Sequence, residues 1–240
     1  MSYWEDEALV LSSINYSETS LILKVFTKEY GVKSGLVRGG KRNKNIYIYE
    51  SGNHIKIAWK GRNENALGAF TCELISSNSV LFTKDKLKFL AVLSILNLIE
   101  FCLLENDKEE LLFDETLHLL NHILNQPAWL KKYVFWEKLL LERVGFGLQL
   151  TKCVISGRNT NLDYVSPKTG NAISKGCAGD WKHRLLVLPK FLIRNDIATK
   201  NDILNGLIIT SKFLNKFALS IGKKIPFTRE HFIDSIIDEE

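Results

Sequence analysis

The side chains best suited to hold an anion lie between residues 19 and 44. Residues 19–42 read TSLILKVFTKEYGVKSGLVRGGKR. Lys33, Arg38, Lys41, Arg42 and Lys44 are basic, and no acid stands between Glu29 and Glu50. Ammonium and guanidinium groups pair with phosphate oxygens, and Gly39 and Gly40 let the backbone come close to a ligand. The plainer alternative is a solvated hairpin tip. A second basic run holds Lys175, Lys182, His183, Arg184, Lys190, Arg194 and Lys200, with only Asp180 and Asp196 between them. Lys212, Lys216, Lys223, Lys224 and Arg229 continue it. Two such faces, if joined, would make a track for a phosphate backbone, with Lys182 and Arg184 as the candidates in the second. Tyr30, Tyr47 and Tyr49 could stack bases there, or pack against the fold instead.

Other chemistries fail on spacing. His118 and His122 stand at i, i+4, the spacing of two ligands on one helix face, but Leu119 follows His118 where a zinc protease needs Glu. They read as helix-surface or packing histidines. Gly145-Phe146-Gly147 lacks the third glycine and the preceding strand of a dinucleotide site, and no Gly-Lys-Ser/Thr phosphate loop occurs. No Ser or Cys has a triad setting. The expectation is a protein with no catalytic residue and no cofactor. Cys72, Cys102, Cys153 and Cys177 are scattered, and the acidic N-terminus MSYWEDEALVL has no export-signal pattern. A reduced, cytoplasmic setting fits, and no apolar run is long enough to span a membrane.

These side chains need elements to position them. The 240 residues are 45% hydrophobic and 25% charged, with a net charge of +5, enough to bury a core and mildly favourable to an anionic partner. Residues 1–80 read as strands. Residues 7–14 form a mostly apolar run, Leu21, Leu23 and Val25 alternate in the next, and residues 32–37 return after a turn at Gly31. Ile55, Ile57 and Trp59 share one face of a fourth strand, and residues 67–75 form a fifth. Ile46-Tyr47-Ile48-Tyr49 reads as a short strand or as loop. Five strands in this length suggest a closed barrel, an OB-fold first and an SH3-like barrel second. From about residue 84 the period becomes helical, with helices predicted over 84–102, 109–124, 128–144, 200–221 and 227–237. The acids Glu100, Glu105, Asp107, Glu109, Glu110, Asp114 and Glu115 read as a solvated face. The Gly-, Ser- and Asn-rich segment 153–180 is a compact ribbon set into the helical part. The fold class is α+β: a five-stranded OB-fold barrel over 1–80, then an α-helical bundle over 81–240 with an inserted loop at 151–184.

Read as a whole, the chain resembles the bacterial recombination mediator family RecO. The resemblance rests on Tyr16-Ser17-Glu18-Thr19-Ser20, Val25-Phe26-Thr27-Lys28-Glu29-Tyr30-Gly31 and Val37-Arg38-Gly39-Gly40-Lys41-Arg42. It continues through Trp136-Glu137-Lys138-Leu139-Leu140-Leu141-Glu142-Arg143-Val144-Gly145 and Arg184-Leu185-Leu186-Val187-Leu188-Pro189, in this order. It implies binding of single- and double-stranded DNA, strand annealing, and, with RecR as partner, loading of RecA onto DNA coated by single-strand-binding protein. It implies a nucleoid-associated place in the cytoplasm. Many members hold zinc with two Cys-x-x-Cys pairs in the inserted loop. Here Cys153 is followed by Ser156 and Cys177 by Asp180 at those positions. Two thiolates, even with His183, fall short of four ligands, so a zinc-less remnant is expected. The acidic tail of single-strand-binding protein, ending in an apolar residue and a carboxylate, would need a greasy pocket rimmed by cations. Lys131, Lys132 and Arg143, on a helix with Trp129 and Tyr133, are the candidates, and ordinary surface charges are the alternative. The competing function is a protein-binding adaptor that does not touch nucleic acid.

Overall fold

Period-two alternation folds the first part of the chain into five strands: β1 (Ser2–Asn15), β2 (Leu21–Thr27), β3 (Gly31–Val37), β4 (His54–Gly61) and β5 (Ala69–Ser76). The computed structural model describes residues 2–41, 46–64, 66–78, 84–194 and 196–238. The strands close into a barrel of order β1-β2-β3-β5-β4. Neighbours run antiparallel except β3 and β5, which meet in parallel at Leu36 and Ala69. Five strands closed in this order make an OB-fold. Leu21, Leu23 and Val25 fill the interior from β2, and Ile55, Ile57 and Trp59 from β4, as the alternation predicts. Gly35 lies where a β-carbon would come within 2.5 Å of the Phe70 ring, so the glycine makes room for that side chain.

One expectation changes in the barrel, and one open choice is decided. The first strand starts at Ser2, well before residue 7, because it pairs with β4 from Ser2↔Gly61 to Leu9↔His54. Cross-strand pairs hold its acids: Lys56 Nζ lies 2.9 Å from Glu5 and His54 Nε2 lies 3.0 Å from Glu7. Of the two readings of Ile46–Tyr49, strand or loop, the loop stands. It is a 3-10 turn that buries Ile48 and Tyr49 in the barrel core. The Asn53 amide holds the turn by donating to the Tyr47 carbonyl at 2.7 Å.

Helical periodicity sets α1 (Lys86–Cys102), α2 (Glu110–Asn125), α3 (Trp129–Arg143), α4 (Lys200–Ser220) and α5 (Phe227–Asp238). The Asp85 carboxylate caps α1 by accepting from Lys88 N–H, a contact worth about 1 kcal/mol. A capping box between Thr199 and Asp202 starts α4. Gly145, at φ 82, ends α3, and Phe146 N–H returns to the Leu141 carbonyl at 2.8 Å.

By contacts the chain divides into two units, Met1–Leu120 with Pro226–Glu240, and Asn121–Ile225. In the first, α5 packs on α1, and Asn97 Nδ2 donates to Thr228 Oγ1 at 3.0 Å. Arg229 does not join a basic surface, because it shares its helix face with Phe232 and Ile236 and is buried with them. In the second, α3 packs on α4, where Gly206 leaves space for Val134. The inserted ribbon is a three-stranded sheet of order β7-β6-β8: β6 (Leu162–Val165), β7 (Ala172–Ser174) and β8 (Leu186–Val187). Among the described residues no helix is long and apolar enough to cross a membrane.

Candidate nucleic-acid interface

The face of β2 and β3 that an OB-fold commonly uses for oligonucleotides is largely roofed here. In-register pairs Ile22↔Leu36, Lys24↔Ser34 and Phe26↔Val32 point outward from the core-lining rows. Lys24 Nζ donates to Glu100 at 3.0 Å, and Ser34 Oγ donates to Glu105 at 3.3 Å. Asn106 N–H donates to the Val32 carbonyl at 3.1 Å. The Phe26 ring meets Phe113 edge-on at 5.5 Å, and both are buried. At the hairpin turn Lys28 Nζ donates to Asp114 at 2.9 Å, a bond that raises its pKa, and Lys108 pairs with Glu29. Of the acids expected to face solvent, Glu100, Glu105 and Asp114 thus contact the barrel, while Glu105, Asp107, Glu110 and Glu115 are exposed as expected. Glu109 itself is buried. Complementary charge draws them in, since barrel lysines stand opposite them.

What remains open on this side lies toward the loop between β1 and β2. Ile14 and Tyr16 are exposed, and Ile22 and Leu36 are half-buried. The turn 38–41 follows β3 at the same end, because Leu21 pairs with Val37. Arg38 is exposed. Lys41 is half-buried: its N–H donates to the Thr19 carbonyl at 3.0 Å and its Nζ to the Ser17 carbonyl at 3.1 Å. Arg42 and Lys44 lie outside the described residues. Lys33 is not beside Arg38. It sits five residues back along β3, about 16 Å away at the strand rise, opposite Val25. There its Nζ lies 5.9 Å from the Trp59 ring centroid and 3.4 Å from the Glu64 carbonyl. Tyr30 is at that end too, stacked on Trp4 at 4.1 Å. Of the three candidate tyrosines, Tyr47 is exposed and Tyr49 is core.

The second group of cations is on the ribbon. Lys182 and Arg184 are both exposed, on a 3-10 segment over Gly179–Arg184. Arg184 lies over the ring of Trp181, 5.0 Å from its centroid. Trp181 and Tyr16 are exposed aromatics outside the three tyrosines named from the sequence as stacking candidates. The signal available was an aromatic residue in a polar loop beside cations. Beyond the ribbon, Lys216 is engaged by the protein, donating to the Lys168 carbonyl at 2.6 Å and lying over Phe213.

The ribbon also holds two of the four free cysteines, Cys153 and Cys177. Cys153 is buried, and its Sγ accepts from Ser156 N–H at 3.5 Å, Ser174 N–H at 3.3 Å and Ser174 O–H at 3.5 Å. Burial pushes the thiol up, but these bonds outweigh it and lower its pKa to about 6. Cys177 packs at the edge of the small core of Tyr164, Ile173 and Ala178. Among the described residues no three His, Cys, Asp or Glu side chains gather to hold a metal. The donor set does not fit zinc.

On α3, Lys131 Nζ donates to the Asp196 carbonyl at 2.8 Å, while Lys132 and Arg143 are exposed. Lys132 and Arg143 are eleven residues apart, about three turns, and so share a face. Trp129 and Tyr133 beside them are buried in the core. His118 is exposed and His122 half-buried on α2.

Two family models match in succession. The one described as Recombination protein O N terminal covers residues 1–78, and the one described as Recombination protein O C terminal covers residues 84–215. A protein of Cereibacter sphaeroides named DNA repair protein RecO is 36% identical over 236 residues, 98% of each chain. The protein of that name from Dinoroseobacter shibae is 37% identical over 236 residues, and that from Orientia tsutsugamushi is 35% identical over 237, again with 98% of each chain covered.

Proposed function

The chain belongs to the RecO family of DNA repair proteins, and from that premise we propose that it is a recombination mediator that works by binding, without catalysis. It binds single- and double-stranded DNA, anneals complementary strands, and with RecR helps to load RecA onto DNA coated by single-strand-binding protein. It acts in the cytoplasm, at the nucleoid, and needs no zinc. One observation carries the reading: relatives named DNA repair protein RecO cover 98% of the chain.

The geometry suggests how phosphates would be held. With strands β2 and β3 roofed by the acidic junction, DNA would approach the barrel at the 38–41 turn. Arg38 offers an exposed guanidinium there, Lys41 stiffens the loop while adding charge, and Arg42 and Lys44 follow in sequence. Lys182 and Arg184 supply further cations on the ribbon, and Lys33 a point charge toward the other end of β3. Non-specific phosphate contacts suit a mediator, since they carry no sequence information. The tail of single-strand-binding protein would meet Lys132 and Arg143 on α3, with Lys131 beside them.

The covered β2–β3 face favours a second reading, a protein-binding adaptor. An annealing assay separates the two. With complementary fluorescent oligonucleotides, the mediator accelerates duplex formation at low salt. An adaptor leaves the spontaneous rate unchanged.

A further inference from the structure

Four of the five tryptophans are core residues. Trp4, the least covered of them, is 8% exposed, whereas Trp181 is 63% exposed. An indole in that state leaves most of its apolar area in water, and nothing in the ribbon's own core uses it. The small core of Tyr164, Ile173 and Ala178, joined by Cys177 and Leu185, closes without it.

The backbone beneath Trp181 is nevertheless fixed. Trp181 N–H donates to the Ala178 carbonyl at 3.1 Å, and Leu185 N–H to the Lys182 carbonyl at 3.2 Å. Ala178 and Leu185 belong to the core cluster, so both ends of the 3-10 segment are anchored. The ring is therefore presented by a preorganised loop. The Arg184 guanidinium lies over it at 5.0 Å, and Arg184 Nε donates to His183 Nε2 at 3.2 Å. Lys175, Lys182, His183 and Arg184 are all exposed, and Asp180 is the single acid from 175 to 184.

An aromatic plane set among cations matches one repeating chemistry, that of a single-stranded nucleic acid, which offers a flat base and a phosphate in every unit. A base stacks on the plane, and the cations take the flanking phosphates. A duplex does not match, because its bases are already stacked on one another. We propose that Trp181 is a stacking platform for an unpaired base of DNA, with Lys182 and Arg184 holding the neighbouring phosphates. The proposal rests on the DNA-binding reading above and sharpens it: the ribbon would be the part of the protein that tells single strands from duplex.

The test uses the full chain, a labelled oligothymidylate and a duplex of equal length, with two readouts. Anisotropy of the label reports binding. The part of the tryptophan emission that iodide can quench reports Trp181, since its four companions are buried. The single strand should quench the emission and shield it from iodide, and bound duplex should do neither. Trp181→Ala should weaken single-strand binding about tenfold with duplex binding little changed, and Trp181→Phe should recover most of the affinity. An unchanged circular dichroism spectrum would show that the ribbon still folds. If anisotropy reports single-strand binding while emission and iodide access stay constant, or if Trp181→Ala binds like the parent, stacking is wrong and DNA binding stands. Equal quenching by duplex also rejects it. No anisotropy change with either DNA at low salt removes the stacking site together with the DNA-binding reading.

Discussion

Cys153 is a buried thiol held by hydrogen bonds from the ribbon around it. Its sulfur accepts three hydrogen bonds from Ser156 and Ser174, much as a ligand thiolate would, and its pKa is lowered to about 6 from an ordinary 9.0. Because the folded value is the lower one, the folded state favours the thiolate. That stabilisation is fully present above pH 9.0 and is lost as pH falls through about 6. Urea unfolding should thus show stability rising across that window from this group, and Cys153→Ala should flatten the rise. Equal slopes in parent and variant would mean that the thiol titrates normally. The resemblance to zinc-holding family members drew attention to Ser156 and Asp180, but not to this pairing, since Ser174 lies 21 residues from Cys153. The cations were legible as charges in the same limited way. That Lys33 and Arg38 stand at opposite ends of β3, and that Arg229 is buried, follows from strand length and helix face, which charge counting ignores.

At the scale of elements, the β2–β3 hairpin and the acidic junction are one structural unit. Gly31, at φ 65, turns the hairpin where a β-carbon would lie 2.1 Å from the Asp107 carbonyl oxygen. Gly31→Ala should cost about 2 kcal/mol or more, from left-handed backbone strain and the clash, lowering Tm by about 5 °C. A variant that melts with the parent would show that the junction is loosely docked. The strands and helices themselves were legible because apolar spacing follows periods of two and 3.6. Ile46–Tyr49 stayed open between strand and loop because alternation in four residues does not separate a strand from a 3-10 turn. The junction's contacts with the barrel were not legible because the partners are distant in sequence, with Lys24 and Glu100 76 residues apart. On α3 the exposed pair Lys132 and Arg143 should bind a labelled acidic tail peptide of single-strand-binding protein. Lys132→Glu and Arg143→Glu should each lower its anisotropy signal several-fold, and two variants that bind like the parent would move the site off this helix.

For the whole molecule, the α+β class and the order of barrel, helices and ribbon were readable from the chain, and the match to the RecO family runs through both parts. The central claim is that its cations grip DNA phosphates. A binding titration of a single-stranded oligonucleotide at several salt concentrations tests it most directly, run with the parent and with Arg38→Ala, Lys41→Ala and Arg42→Ala combined. Affinity for the parent should fall steeply and linearly on a log–log plot. The triple variant should bind more weakly and with a shallower slope, by about 0.7 for each phosphate it no longer neutralises. Parent binding that ignores salt, or a triple variant that superimposes on the parent, would contradict the account.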